Sequence, residues 1–341
     1  MNGLWKKWAW LPLAASLAAC GGGAADTGDG QSKKAVSILN VSYDPTRELY
    51  REYNADFQQY WQQKTGQTVN IKQSNGGSGK QALAVQNGLK ADVLTLALGS
   101  DIDAVNQGAK KLVNDNWQQA LPHNSTPYTS TIVFLVRKGN PKNIRDWGDL
   151  VKGDVKVITP NPKTSGGARW NFLAAWAYGQ TLGGDAAAEQ YVGELFKRVP
   201  VMDAGARAST ISFTQRGLGD VLLSWENEAH LAVQENQGEF EIVTPSLSVL
   251  CEPPVAVVDA VADERGTREV ATAYLQGLYT DDAQRMIGRH YYRPSNPQIL
   301  AEFADRFPKL KLATVADFGG WAKVQPEFFG DGGVFDRIYK K

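Results

Sequence analysis

The chain is 341 residues long, 43% hydrophobic and 21% charged, the composition of a folded globular protein with room for two ordinary domains. Thirty-six basic residues balance 36 acidic ones, and neither sign forms a long block, which argues against electrostatic recognition of nucleic acid.

The N-terminus reads as an export signal. Lys6 and Lys7 precede a mostly apolar run, Trp8 to Ala19, that is too short to span a bilayer, for which about 20 residues are needed. Leu17-Ala18-Ala19-Cys20 follows and resembles the lipobox of bacterial lipoprotein signals. That resemblance implies removal of residues 1–19, acylation of Cys20 and a membrane-anchored protein. Loss of Lys6 and Lys7 leaves 34 basic against 36 acidic side chains, a net charge of −2. Residues 20–34, glycine-rich, polar and without periodicity, read as a flexible tether. With Cys20 lipidated, Cys251 has no intrachain partner, so no disulfide is expected.

Beyond the tether, strand-like apolar runs alternate with amphipathic helices. The runs are 35–41, 92–98, 131–136, 155–159, 220–225, 240–244 and 255–261. Most are too continuously apolar for sheets with one wet face, which predicts buried, largely parallel strands and an α/β fold. Asp44-Pro45 predicts a helix start with aspartate as the N-cap. Leu49, Tyr53, Phe57, Tyr60 and Trp61 mark its apolar face, and Thr65-Gly66 ends it. A second helix carries Trp170, Leu173, Ala174, Ala177 and Tyr178 and closes at Gly183-Gly184. Stretches 126–136 and 249–258, with prolines beside apolar strands, suit two crossings between domains.

The segment Ser74 to Gly88, "SNGGSGKQALAVQNG", has the look of a phosphate loop. Setting Gly79-Lys80 as its Gly-Lys pair puts Ser74 at the first glycine and Gln81 at the magnesium-binding hydroxyl, so the ATP motif fails. A glycine turn opening a helix still presents free N–H groups and a positive dipole end, which suits another anion. The same logic recurs at 161–176 and 203–220 and at Asp44-Pro45. In an open α/β sheet such junctions lie at the carboxyl ends of the strands, where ligands bind.

Catalytic constellations are poor: acidic pairs such as Glu226 and Glu228 exist, but a sequence does not show facing carboxylates. His123, His230 and His290 stand far apart, without metal-ligand spacing, and no cofactor or metal is expected. A hydrolase using Ser78 or Ser165 as nucleophile has no positioned histidine base in the sequence.

The motifs "NVSYDPTREL", "SNGGSGKQA", "YTSTIVFLVRKGNPK", "ITPNPKTSGGARWN", "GDVLLSWENEA" and "KLKL…FGGWAK" resemble the periplasmic sulfate-binding proteins of bacterial sulfate and thiosulfate ABC importers, from about Val36 to the C-terminus. The resemblance implies a monomeric, two-lobed, type II solute-binding fold with a ligand cleft and hinge strands. Lobe 1 would comprise 35–127 plus 256–341, and lobe 2 would comprise 137–250. It also implies a protein that is not an enzyme: a periplasmic receptor that captures sulfate and hands it to an ABC permease. Thiosulfate, or molybdate or tungstate, is the alternative cargo. Carried over by residue, it implies anion contacts from the Asp44 N–H, the Ser78 hydroxyl, Ser165, Gly166, Gly167, the Ala206 N–H and the Trp225 indole. Arg169 and Arg207 brace the loops. Asp44, the one carboxylate near the anion, is expected to cap its own helix and face away. A site of donors alone suits sulfate, a dianion without a proton at neutral pH. Hydrogen phosphate would bury an unpaired O–H there, at a cost of roughly 1–3 kcal/mol.

Overall fold

The structure, a computed structural model, describes residues 34–339. The expected signal peptide, Cys20 and the expected tether up to Lys33 lie outside the described residues.

The chain begins with strand β1 (Val36–Tyr43), helix α1 (Arg47–Thr65), β2 (Val69–Gly76), α2 (Ser78–Gln86), β3 (Val93–Thr95) and α3 (Gly99–Val105). It crosses to a second layer through β4 (Tyr128–Thr129) and continues into β5 (Ile132–Arg137). There follow β6 (Val157–Ile158), α4 (Gly166–Gln180), α5 (Gly184–Phe196), α6 (Ala206–Thr214), β7 (Val221–Trp225), α7 (Glu226–Glu235), β8 (Phe240–Val243) and β9 (Leu247–Val249). Strand β10 (Val255–Val257) returns to the first sheet, and helices and β11 (Arg293–Pro294) and β12 (Lys311–Ala313) complete the chain.

Two four-stranded sheets result, in the orders β10-β3-β1-β2 and β6-β7-β5-β8. Helices cover both, and the central strands β1, β3, β5 and β7 are largely buried as their continuous apolar runs predict, while the edge strands β2 and β8 are half-exposed. They are parallel only in part. In the first sheet β1 pairs in parallel with β2 and β3, while β10 is antiparallel to β3. In the second, β6 and β7 are parallel, while β5 runs against both β7 and β8. The reversed strands β5 and β10 are those that enter a lobe from the other one. They start at the cleft, where the parallel strands end. The two crossings are themselves joined: Ser130 and Cys251 exchange backbone hydrogen bonds of 3.0 and 2.9 Å.

Local details follow the chemistry. Gly66, at a positive φ of 70°, ends α1 with its N–H on the Gln62 carbonyl. Ser165 caps α4 by accepting the Ala168 N–H at 3.3 Å. The run 255–261 splits, with strand at Val255–Val257 and a new helix from Asp259. Asp44 is a correction. It lies in a 3-10 turn, Asp44–Thr46, ahead of α1, and its side chain makes no cap bond.

The C-terminal segment packs on the second lobe. After Trp321–Val324 comes a π turn, Gln325–Phe329, and then α8 (Val334–Ile338). Phe328, Phe329 and Phe335 set their rings edge-on against Phe172 of α4. Among the described residues no helix is long and apolar enough to cross a membrane.

Candidate functional site

Five chain reversals meet where the carboxyl ends of the strands face each other. From the first lobe come the turn after β1, carrying Asp44, and the turn after β2, carrying Ser78. The second lobe contributes the loop before α4, the start of α6 and the end of β7.

Glycines record how tightly these meet. A methyl group on Gly166 would lie 2.9 Å from Ser78 Cβ and 2.7 Å from Ala97 Cβ. One on Gly77 would lie 2.6 Å from the Thr164 carbonyl oxygen and 2.9 Å from that of Ala204. One on Gly167 would lie 2.9 Å from Trp225 Nε1. Gly205 backs onto the Asp44 carboxylate with no room for a methyl group. All seven residues expected at the site, Asp44, Ser78, Ser165, Gly166, Gly167, Ala206 and Trp225, thus gather at one seam between the lobes.

The donors differ in their availability. Ser78 opens α2, Gly166 and Gly167 form the first turn of α4, and Ala206 opens α6, so their N–H groups have no intrahelical acceptor. Trp225 is buried, 1% exposed, and its Nε1 has no hydrogen-bond partner among the described residues. The Tyr43 ring holds the indole in place at a centroid distance of 5.2 Å.

The Ser78 hydroxyl points elsewhere than expected. Its single proton goes to Asp101 Oδ2 at 2.5 Å, and its oxygen accepts the Ala97 N–H at 3.0 Å. A serine hydroxyl has one proton, so in this arrangement Ser78 offers a ligand its N–H alone. Ser165 Oγ accepts from Ala168 and keeps its proton free. Asp101 was not singled out in the sequence. Nothing near it marks a partner for a serine 23 residues away.

The arginines near the seam are already paired. Arg169 Nη1 bonds Asp101 Oδ1 at 2.7 Å, with both side chains buried, and its Nε donates to the Pro162 carbonyl at 2.8 Å. Arg207 is shared by Glu48 at 2.8 Å and Glu228 at 3.0 Å. Burial pushes the Glu228 carboxyl up to about 7, against the pull of Arg207 and with Glu48 and Asp44 adding to the rise. Burial likewise raises Asp44, against Arg47 and Arg207. The field that an anion meets therefore comes from helix N-termini and N–H dipoles.

Elsewhere, His290 Nε2 pairs with Glu52 at 2.6 Å, and His230 stacks on Tyr291 at 4.2 Å. Among the described residues no group of three or more metal-ligating side chains is assembled. Cys251 is buried, and burial lifts its thiol well above the usual range, which leaves it unreactive.

Two lobes joined by three chain crossings, two of them paired at Ser130 and Cys251 and the third running through β12 beside β9, with strand ends and helix starts aimed into the seam, define a solute-binding protein. The comparisons agree. The model of the bacterial extracellular solute-binding protein family matches residues 38–293. The sulfate-binding protein of Escherichia coli is 55% identical over 312 residues, 90% of this chain and 94% of that one. The thiosulfate-binding protein of Pseudomonas aeruginosa is 50% identical over 313 residues, 91% and 94% of the two chains. Among solved structures, the sulfate-binding protein SubI of Mycobacterium tuberculosis superposes with a TM-score of 0.78 at 35% identity, covering 86% of this chain and 99% of that one. The chain belongs to the bacterial extracellular solute-binding proteins, in the group that holds these sulfate- and thiosulfate-binding relatives.

Proposed function

We propose that this protein is the extracytoplasmic receptor of a sulfate ABC importer. It captures sulfate between its lobes and presents it to the permease, tethered to the membrane by a lipid on Cys20. The observation that carries the reading is Trp225 Nε1, a buried donor without an acceptor, facing the open first turn of α4. A buried N–H left unpaired costs about 1–3 kcal/mol, so the fold keeps it for a ligand. The Asp44, Ser78, Gly166, Gly167 and Ala206 N–H groups and the Ser165 hydroxyl complete a set of donors. No carboxylate in this set is free to accept a proton: Asp101 takes the Ser78 proton and pairs with Arg169. Asp44 turns to Arg47 at 3.5 Å and to the backbone around Gly205. That absence favours a fully ionised oxyanion over hydrogen phosphate.

The lobes, as they stand, are shut. Gly77 of the first lobe has no room for a methyl group against the Thr164 and Ala204 carbonyls of the second, nor has Gly166 against Ser78 and Ala97. Loading an oxyanion therefore requires the lobes to part about the paired crossings at Ser130 and Cys251. We propose lobe limits of 35–127 with 256–310, and of 137–250 joined by 311–338, since β12 pairs with β9 and the segment after it packs on α4. The function is capture and release as a monomer, without turnover or cofactor.

Calorimetric titration of the isolated protein with sulfate, thiosulfate, molybdate and phosphate tests the reading. Sulfate should bind and phosphate should not. Preference for thiosulfate would move the protein to the second cargo, which its 50% identity to a thiosulfate-binding relative keeps in view. Tight phosphate binding would overturn the donor-only site.

A further inference from the structure

The loop that delivers Ser165, Gly166 and Gly167 is held from two sides. Inside the second lobe, the Asn161 N–H bonds the Asp203 carbonyl at 2.8 Å and the Thr164 hydroxyl bonds that of Ala204 at 2.9 Å. These bonds join the loop to the start of α6. On the opposite side stands Lys163, two residues ahead of Ser165. Its ammonium reaches into the C-terminal segment, to the carbonyls of Phe329 at 3.0 Å and Gly330 at 3.1 Å and to Asp336 Oδ2 at 2.8 Å. Three donors meet three acceptors. The carbonyls come from the end of the π turn, the negative end of that element, where a cation is favoured. The Lys163 ammonium and the Gly332 N–H hold the Asp336 carboxyl below the usual range.

The segment that Lys163 grips is itself anchored at both ends of the seam. Phe328 packs on Trp176 at 4.8 Å and Phe335 on Phe196 at 5.4 Å, both in the second lobe. Trp321 lies edge-on to Trp170 of α4 at 4.9 Å and also borders Gly99, at the start of α3 in the first lobe. The segment thus runs from the first lobe's α3 to the loop that aims the Ser165 hydroxyl.

We propose that Lys163 is a positioning residue for anion binding: by gripping the C-terminal segment at Phe329, Gly330 and Asp336, it sets the aim of the Ser165 to Gly167 donors. The proposal rests on the reading that those donors hold the anion. A positive charge acting at long range on a dianion is the competing role, and the two roles separate on Asp336. Asp336→Asn weakens the grip but leaves the lysine charged. Positioning predicts weaker binding. A long-range field predicts equal or tighter binding.

The test is calorimetric titration with sulfate, together with thermal melts of the anion-free proteins. Lys163→Met and Asp336→Asn should each weaken sulfate binding about three- to tenfold, the range of a partly exposed, charge-assisted contact. The double variant should add little to either single one, because both remove one contact. Lys163→Arg should recover part of the loss. Arg337→Ala, on the same short helix as Asp336, breaks a 3.0 Å pair with Glu189 of α5 and should leave binding unchanged. Parent-like affinity in Asp336→Asn overturns the proposal, and so does an equal loss in Arg337→Ala, which would assign the effect to helix stability. Should Lys163→Met fail to fold, Asp336→Asn still decides. A parent protein that binds no sulfate would instead sink the cargo reading and this proposal with it.

Discussion

Ser78 and Ser165 are the same residue type at equivalent strand-to-helix junctions, yet their protons go to different places. Ser78 gives its proton to Asp101, 2.5 Å away, while Ser165 accepts from its own helix and stays free to donate. Ser165→Ala should therefore remove a direct donor to a charged ligand, worth about 1.5–3 kcal/mol, and weaken sulfate binding about ten- to over a hundredfold. Ser78→Ala should cost less, since the N–H proposed to face the anion survives and only the brace to Asp101 and Ala97 is lost. Titration calorimetry ranks the pair, and a larger loss in Ser78→Ala would return the hydroxyl to the ligand. Trp225→Phe keeps the ring on Tyr43 but deletes the orphan donor. It should weaken binding at least about tenfold by the same measure. The motifs mark both serines as candidates, and the structure brings both to the seam. Which one holds a spare proton depends on Asp101, which only the tertiary structure brings near.

At the scale of elements, the start of α7 holds the most exposed tension in the fold. Glu226 and Glu228 are both buried in its first turn, the former bonded twice by Arg293 at 2.8 Å. Glu228 has only a shared arginine, and burial sets its carboxyl near 7. The folded state keeps that proton after the unfolded chain has released it. Stability from this group is thus complete below the ordinary carboxylate range and declines as pH rises toward about 7. Glu228→Gln has no ionisation to resist. Its melting temperature should match the parent near about pH 5 and exceed it near about pH 8. A difference that is constant across pH would contradict the burial argument. Elements also show where sequence patterns failed. Strand β2 was not expected, because Val69, Ile71 and their polar neighbours make a half-exposed edge rather than an apolar run. Strand β5 falls where a strand is expected and β10 covers only the first half of its expected run, and both run antiparallel to their neighbours, since direction depends on which lobe the chain enters from.

For the molecule as a whole, the shut seam predicts motion. Each lobe supplies some of the donors, so neither alone desolvates an anion. The shut arrangement brings the donors of both lobes together, so sulfate should favour it and the sulfate-free protein should open: small-angle scattering should show a smaller radius of gyration with sulfate than without, and an unchanged value would count against this opening and closing. Outside the described residues, Cys20→Ala should leave the protein unacylated, which membrane fractionation and mass spectrometry of the mature N-terminus would detect. A mature chain that starts elsewhere and carries no lipid would refute the anchor. What the sequence by itself determined is local in origin: apolar runs for buried strands, glycine and serine turns opening helices, and motifs long enough to mark the family. The tertiary structure alone decided what depends on distant partners. It turned the Ser78 proton to Asp101, shared Arg207 between two lobes, sent the Asp44 carboxylate across to Gly205, and laid the C-terminal segment on α4 and α5. A hydrogen bond or ion pair needs two groups within about 3–4 Å, and nothing in a linear sequence records which groups, tens of residues apart, will meet at that distance.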